Sequence, residues 1–413
     1  MPANLFDQLG VLKYSKTSIL DSHVENFAML LLDKGYARYT IKFKVRQLSK
    51  LGHWLGIHKI HVDGLNEEII DRYLESRISD SKSTGQLSTY YDFLEYLRDE
   101  NLICSDSTIR LETPLEKEKQ DFSNYLSTER NLVKSTINRY TSLIVPFLEN
   151  CFDGEDINFD KITVDHINKY ILKHSKRASL GHTKLIVTAL RSFFTYLYSR
   201  EKIAINLALS VPKVAFWRLS SLPKSLKPGQ VEKMLKSCDL NTNIGQRDYA
   251  VLLLLARLGL RACEIVSMRL EDINWESGII LVRGKGSRED HLPIPQDVGE
   301  AIAQYLKNVR PKCSVRNVFV RVVAPYQGFS SSVAIRDIVD NALTRANIPS
   351  VRRGAHLLRH SLATRMLQDG ASLTEIGEVL RHNSQTTTEI YAKVDLKALH
   401  SLAQPWPVFG GVI

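Results

Sequence analysis

The sequence predicts a mainly α protein of the α+β class, with helical N-terminal domains followed by a mixed α/β domain that carries a small antiparallel sheet. Three observations predict it. Apolar residues recur at helical spacing through the first half of the chain; that pattern is repeated, imperfectly, at an offset that drifts from 95 to 100 residues; and the period changes to that of strands around Gly278–Ile294. A length of 413 residues suggests two to three domains, and 44% hydrophobic content is that of a soluble protein.

The first copy of the repeat reads as four amphipathic helices, FAMLLLDKG, TIKFKVRQLSKLGHWL, NEEIIDRYLES and STYYDFLEYLRDENL. The second offers DFSNYLSTER, STINRYTSLIVPFLEN, TVDHINKYILKHS and GHTKLIVTALRSFFTYLYSREK. Phe27, Thr40-Ile41, Ile70, Tyr73 and Tyr96-Leu97 return as Phe122, Thr136-Ile137, Ile167, Tyr170 and Tyr196-Leu197. The second copy ends at Val211-Pro212-Lys213, before a linker running toward Pro223 and Pro228. Its basic residues Lys134, Arg139, Lys173, Lys176, Arg177, His182, Lys184 and Arg191 can face phosphates. The charge of the first copy is more mixed.

Tyr249–Leu260 is an apolar run broken only by Arg257; it is too short to span a bilayer and reads as a buried helix. Gly259 lets the helix end, Arg261 follows, and Glu264 at i+3 can orient its guanidinium. Gly278–Arg283 reads as a strand, Gly284–Ser287 as a turn, and His291–Ile294 as the returning strand, which places Lys285 at a hairpin tip.

The stretch HLLRHSLATRMLQDGASLTEIGEVLRHNSQTTTEIY gathers the chemistry. His356 and Arg359 lie at i and i+3, so both project from one helix face and can hold one anion. Ser372 followed by Glu375 resembles a capping box that opens a helix through Leu380, directly before His382. Tyr391, close to two histidines and an arginine, is a candidate nucleophile. His356 and His360 also form an i, i+4 pair, but a zinc protease would need Glu where Leu357 stands, so no metal site is expected.

A formal charge of +10 and a pI near 9.2 favour a polyanionic partner, nucleic acid first. The start, MPANLFDQLGVLKYSKTS, lacks the pattern of a signal peptide and no run reaches membrane-spanning length, so a cytoplasmic protein with no membrane partner is expected. Cys104, Cys151, Cys238, Cys263 and Cys313 are scattered without a CxxC pair, which argues against a disulfide framework or a structural zinc site.

The order GLRxxE, hairpin lysine, HxxR, histidine, then tyrosine nine residues later resembles the tyrosine site-specific recombinases and integrases of phages and transposons. Residue by residue, the resemblance implies a catalytic set of Arg261, Lys285, His356, Arg359, His382 and the nucleophile Tyr391, with Glu264 in support. Arg381 departs from it, since the family often has Gly before the histidine, and so does Lys393, where a further histidine frequently follows. The four-helix units resemble the core-binding domain that precedes the catalytic domain in this family. The implied organisation is 1–110 as an N-terminal helical domain, a possible duplicated core-binding-like or arm- or partner-binding unit; 111–213 as the SAM-like core-binding domain; 214–226 as a linker; 227–395 as the catalytic domain; and 396–413 as a tail that could dock on a neighbour.

The implied reaction is metal- and ATP-independent transesterification of double-stranded DNA through a 3′-phosphotyrosyl link, with no cofactor. Two arginines hold the non-bridging oxygens, Lys285 acts as general acid, His356 accepts the tyrosine proton or binds the phosphate, and His382 donates to a phosphate oxygen. A homotetramer in synapsis, or a mixed assembly with sister recombinases, is implied as well. A type IB topoisomerase-like enzyme or an accessory protein assisting partner recombinases are the alternatives.

Overall fold

In the computed structural model the structure describes residues 19–76, 84–103, 113–152, 157–215, 222–284, 288–350, 353–382 and 384–394. Lys285 and the tail 396–413 lie outside them. Two compact units form: Cys104–Ser220, and Met1–Ile103 together with Ser221–Ile413.

The first repeat builds helices α1 (Asp21–Asp33), α2 (Arg38–Ile57), α3 (Glu67–Ser76) and α4 (Thr84–Asp99). The second builds α5 (Pro114–Thr128), α6 (Lys134–Phe152), α7 (Val164–Ser175) and α8 (Leu180–Ser199). Each has its own apolar core, and the residues that recur in sequence occupy it: Phe27, Ile41, Ile70, Tyr73, Tyr96 and Leu97 in one, Phe122, Ile137, Ile167, Tyr170, Tyr196 and Leu197 in the other. The aromatic packing repeats as well. Phe27 meets Phe93 edge-on at 5.3 Å and Tyr96 at 5.3 Å, while Phe122 meets Phe193 edge-on at 5.1 Å and Tyr196 at 5.4 Å. Even the turns recur. A short 3₁₀ turn, Val62–Gly64 or Phe159–Lys161, precedes the third helix of each copy, and after the fourth helix Asn101 and Glu201 take left-handed φ values of 55° and 54°.

The remaining part of the first unit packs around α10 (Asn243–Arg257), which the sequence places as a buried helix and which starts earlier than its apolar run because Thr242 caps it by accepting from the Gly245 N–H. Residues Ala250–Ala256 are buried on every side, against α9 (Pro228–Lys236), α12 (Gln296–Gln304), α13 (Ser332–Arg345) and α14 (Ala355–Gln368). After α11 (Ala262–Ser267) comes an antiparallel sheet ordered β1 (Ile273–Asn274), β2 (Ile279–Arg283), β3 (Glu289–Pro293). Leu281 pairs with His291 and Arg283 with Glu289, so the hairpin returns two residues earlier than its apolar pattern suggests. Ile280 and Val282 alternate into the core. The described residues finish with α15 (Leu373–Val379), α16 (Gln385–Thr388) and a 3₁₀ turn, Glu389–Val394, around a small separate core of Ala363, Ile376, Leu380 and Tyr391.

The first repeat approaches this part closely at Gly35. The Tyr326 N–H donates to the Lys34 carbonyl at 3.1 Å, and the Tyr326 ring lies 2.2 Å from where a Cβ on Gly35 would stand. Gly35 has φ +83°, so both backbone conformation and space require glycine there. Among the described residues no helix is long and apolar enough to cross a membrane.

Candidate active site

Helix ends build the site. Gly259, at φ +58°, turns the chain out of α10 and presents Arg261 at the start of α11; a Cβ on Gly259 would meet Leu380 Cδ2 at 2.8 Å and Leu362 Cδ2 at 3.0 Å. Glu264 does what its i+3 spacing implies. Its carboxylate accepts from Arg261 Nη1 at 2.7 Å and from the Arg261 backbone N–H at 2.8 Å. Burial of Glu264 to 3% exposure removes water as a competing partner, so the guanidinium is fixed while remaining partly open to solvent.

The capping box at Ser372–Glu375 forms as expected: the Glu375 N–H donates to Ser372 Oγ, and the Ser372 N–H to the Glu375 carboxylate. It fixes α15, whose end delivers Leu380, Arg381 and His382. Arg381 takes a left-handed φ of 54°, which explains why glycine suits this position. Here the arginine turns inward, gives Glu264 a second guanidinium at 2.6 Å, and accepts a hydrogen bond from Arg261 Nη2 at 3.1 Å through its own carbonyl.

Arg359 is not displayed beside His356, as their i, i+3 spacing suggests. It is 5% exposed, and its Nη1 donates to the Gly259 carbonyl at 2.5 Å and its Nη2 to the Leu380 carbonyl. The physical reason is that α10 and α15 both end here, and carbonyls at helix C-termini lack intrahelical donors and carry partial negative charge. Burial and the neighbouring Arg261 and Arg381 push the Arg359 pKa down to about 10, so it stays a cation at neutral pH. Three guanidiniums thus converge. Among the described residues only Glu264 and, at 3.8 Å from Arg381, Asp290 lie within ion-pair reach of them, and Asp290 pairs more closely with Arg288 at 3.0 Å, so cations outnumber carboxylates here.

Tyr391 is 1% exposed, and its hydroxyl meets His360 Nδ1 at 2.8 Å. His356 is exposed one turn earlier, its ring 6.5 Å from that of His360. The tyrosine therefore faces the histidine that the sequence pattern sets aside as half of an unlikely metal pair; only the i+4 spacing from His356 signalled it. His382 Nδ1 lies 2.7 Å from Thr388 Oγ1. Burial, then repulsion from Arg359 and Arg261, lowers its pKa to about 4, so it is neutral at physiological pH.

In the second repeat Lys134, Arg139, Lys173, Lys176, Arg177 and Lys184 are exposed and His182 is half-buried. Lys173, His182 and Arg177 all lie close enough to His174 to lower its pKa, after burial, which marks a positive field where α7 ends and α8 begins. Arg191 differs from the expectation that it faces phosphates. It is half-buried and donates to the Val211 carbonyl at 2.9 Å, because the chain leaving the domain needs a donor there.

Comparison with known proteins gives concordant results. Residues 224–397 match the phage integrase family, and 120–201 match the phage integrase N-terminal SAM-like domain. The chain is 40% identical over 382 residues to the putative integrase/recombinase y4rA of Sinorhizobium fredii, covering 92% of this chain and 93% of that one. It is 31% identical over 290 residues to tyrosine recombinase XerC of Thermodesulfovibrio yellowstonii, covering 68% of this chain and 92% of that one. Its fold is similar to that of the XerH site-specific recombinase bound to difH, with TM-score 0.52, 21% identity, and coverage of 81% of this chain and 93% of that one.

Proposed function

The chain belongs to the phage integrase family of tyrosine recombinases and is an enzyme of that family, and from this premise we propose that it is the integrating recombinase of a mobile element, cutting and rejoining double-stranded DNA. The observation that carries the reading is the pairing of a buried tyrosine hydroxyl on His360 with a cluster of three arginines that lacks a balancing anion. A scissile phosphodiester supplies that anion. Guanidinium geometry suits its non-bridging oxygens and stabilises the charge that grows on them in the transition state.

The Tyr391 oxygen attacks phosphorus, the bond from phosphorus to the 5′-oxygen breaks, and a 3′-phosphotyrosyl link forms. The tyrosine proton passes to His360, whose Nδ1 already contacts the hydroxyl, and the leaving 5′-oxygen takes a proton from Lys285, the role that the resemblance gives the hairpin lysine. Attack by a second 5′-hydroxyl reverses these steps on a new partner strand, so the phosphodiester count is conserved. With its ring buried, Tyr391 reaches the phosphate when the 384–394 segment swings outward. Residues 227–395 carry the chemistry, 111–213 serve as the core-binding domain, and 214–226 link them; synapsis assembles four sites, from this chain alone or with sister recombinases.

Wild type and Tyr391→Phe, expressed with candidate element DNA and purified under denaturant, test this. Fragments attached only to wild type and sharing a junction are expected. Covalent DNA on the Phe variant, or none on either with the element's own ends supplied and all sister recombinases present, overturns the assignment.

A further inference from the structure

The mixed charge of the first repeat sorts by face. Helix α2, RYTIKFKVRQLSKLGHWLGI, contains no acidic residue, and its exposed residues Arg38, Lys42, Arg46, Lys50 and His53 fall within about 120° of one another around the helix axis. The one cation that points inward, Lys44, is neutralised by Asp92 at 2.7 Å. Most exposed acids lie instead on α3 and α4, at Glu68, Asp71, Glu75, Glu95 and Asp99, where they are accompanied by the exposed Arg72, with Asp33 and Asp63 elsewhere. Among the described residues no carboxylate lies within ion-pair distance of Arg38, Lys42 or Lys50.

Folding does not demand this stripe. The equivalent helix of the second repeat, α6, packs a matching core of its own with Lys134, Asn138, Ser142, Pro146 and Glu149 at the corresponding positions. We infer that the Arg38–Lys42–Arg46–Lys50 face of α2 is a second DNA-backbone surface, which grips duplex phosphates beyond those held by the other parts of the chain. From Arg38 to Lys50 the helix rises about 18 Å, the length of about five base-pair steps. Tyr39, 82% exposed, flanks the row with an aromatic ring and a hydroxyl donor.

The inference rests on double-stranded DNA being the substrate but not on the assignment of any catalytic residue. The full chain and its Arg38→Gln/Lys42→Gln/Lys50→Gln variant are titrated with a mixed-sequence duplex across a salt series. Neutralising three phosphate-contacting cations lowers the slope of log K against log salt by about 2.7. The charge-conserving Arg38→Lys/Lys42→Arg/Lys50→Arg variant keeps the wild-type slope, which separates charge from local packing. A slope unchanged in the Gln variant, or no duplex binding by wild type, overturns the inference. A change in self-association with unchanged DNA binding also overturns it, in favour of an acidic protein partner. Adduct formation by Tyr391 is scored in parallel: wild-type adducts with an unchanged slope sink this surface alone, and a lowered slope without adducts sinks the catalytic reading alone.

Discussion

Replacing Glu264 with Gln isolates the electrostatic logic of the site. The carboxylate accepts three bonds, from Arg261 Nη1, the Arg261 N–H and Arg381 Nη2, at 2.7, 2.8 and 2.6 Å. At roughly 1.5–3 kcal/mol for each charge-assisted bond the loss is bounded near 9 kcal/mol. The amide oxygen still accepts, while its NH₂ opposes one guanidinium, so about 3–5 kcal/mol is expected, the range for a broken buried pair. For a domain of this size that lowers Tm by roughly 6–20 °C, measured by calorimetry of the full chain. The variant also gains one net positive charge at the arginine cluster, so a bound polyanion should raise its Tm by more than it raises that of wild type. A Tm within 2 °C of wild type, or equal stabilisation of both proteins by duplex DNA, would show that Glu264 does not balance these arginines.

His382 supplies a pH dependence. Its folded pKa is about 4 against 6.5 unfolded, so the unfolded chain binds the proton first as pH falls; its contribution is whole above pH 6.5 and is lost between 6.5 and 4. Denaturant titrations should find His382→Asn less sensitive to acid over that window, by roughly 2–4 kcal/mol; parallel curves would refute it. Gly259→Ala forces a Cβ at positive φ against Leu380 and Leu362 and should cost about 1–3 kcal/mol in urea unfolding, with slower adduct formation because the Gly259 carbonyl holds Arg359. His360→Ala removes the hydrogen bond at the buried Tyr391 hydroxyl, so a loss of about 1–3 kcal/mol and a fall in adduct rate should appear together.

What the sequence determined by itself is local or periodic. The eight repeat helices follow from apolar spacing, and the matched positions Phe27/Phe122 and Tyr96/Tyr196 turn out to be matched core contacts because identical packing needs identical side chains. The Arg261–Glu264 pair and the Ser372–Glu375 box were legible because three residues of helix set their geometry. Only the tertiary structure decided the rest. Arg359 turns to carbonyls 100 and 21 residues away, Arg381 joins Glu264 across 117 residues, and His360 rather than His356 receives Tyr391, each through helix ends brought together by the core. Charge behaves the same way: the first repeat reads as mixed along the chain, and only the helix faces separate its cations from its acids, since spacing fixes which residues share a face and packing fixes which face meets water.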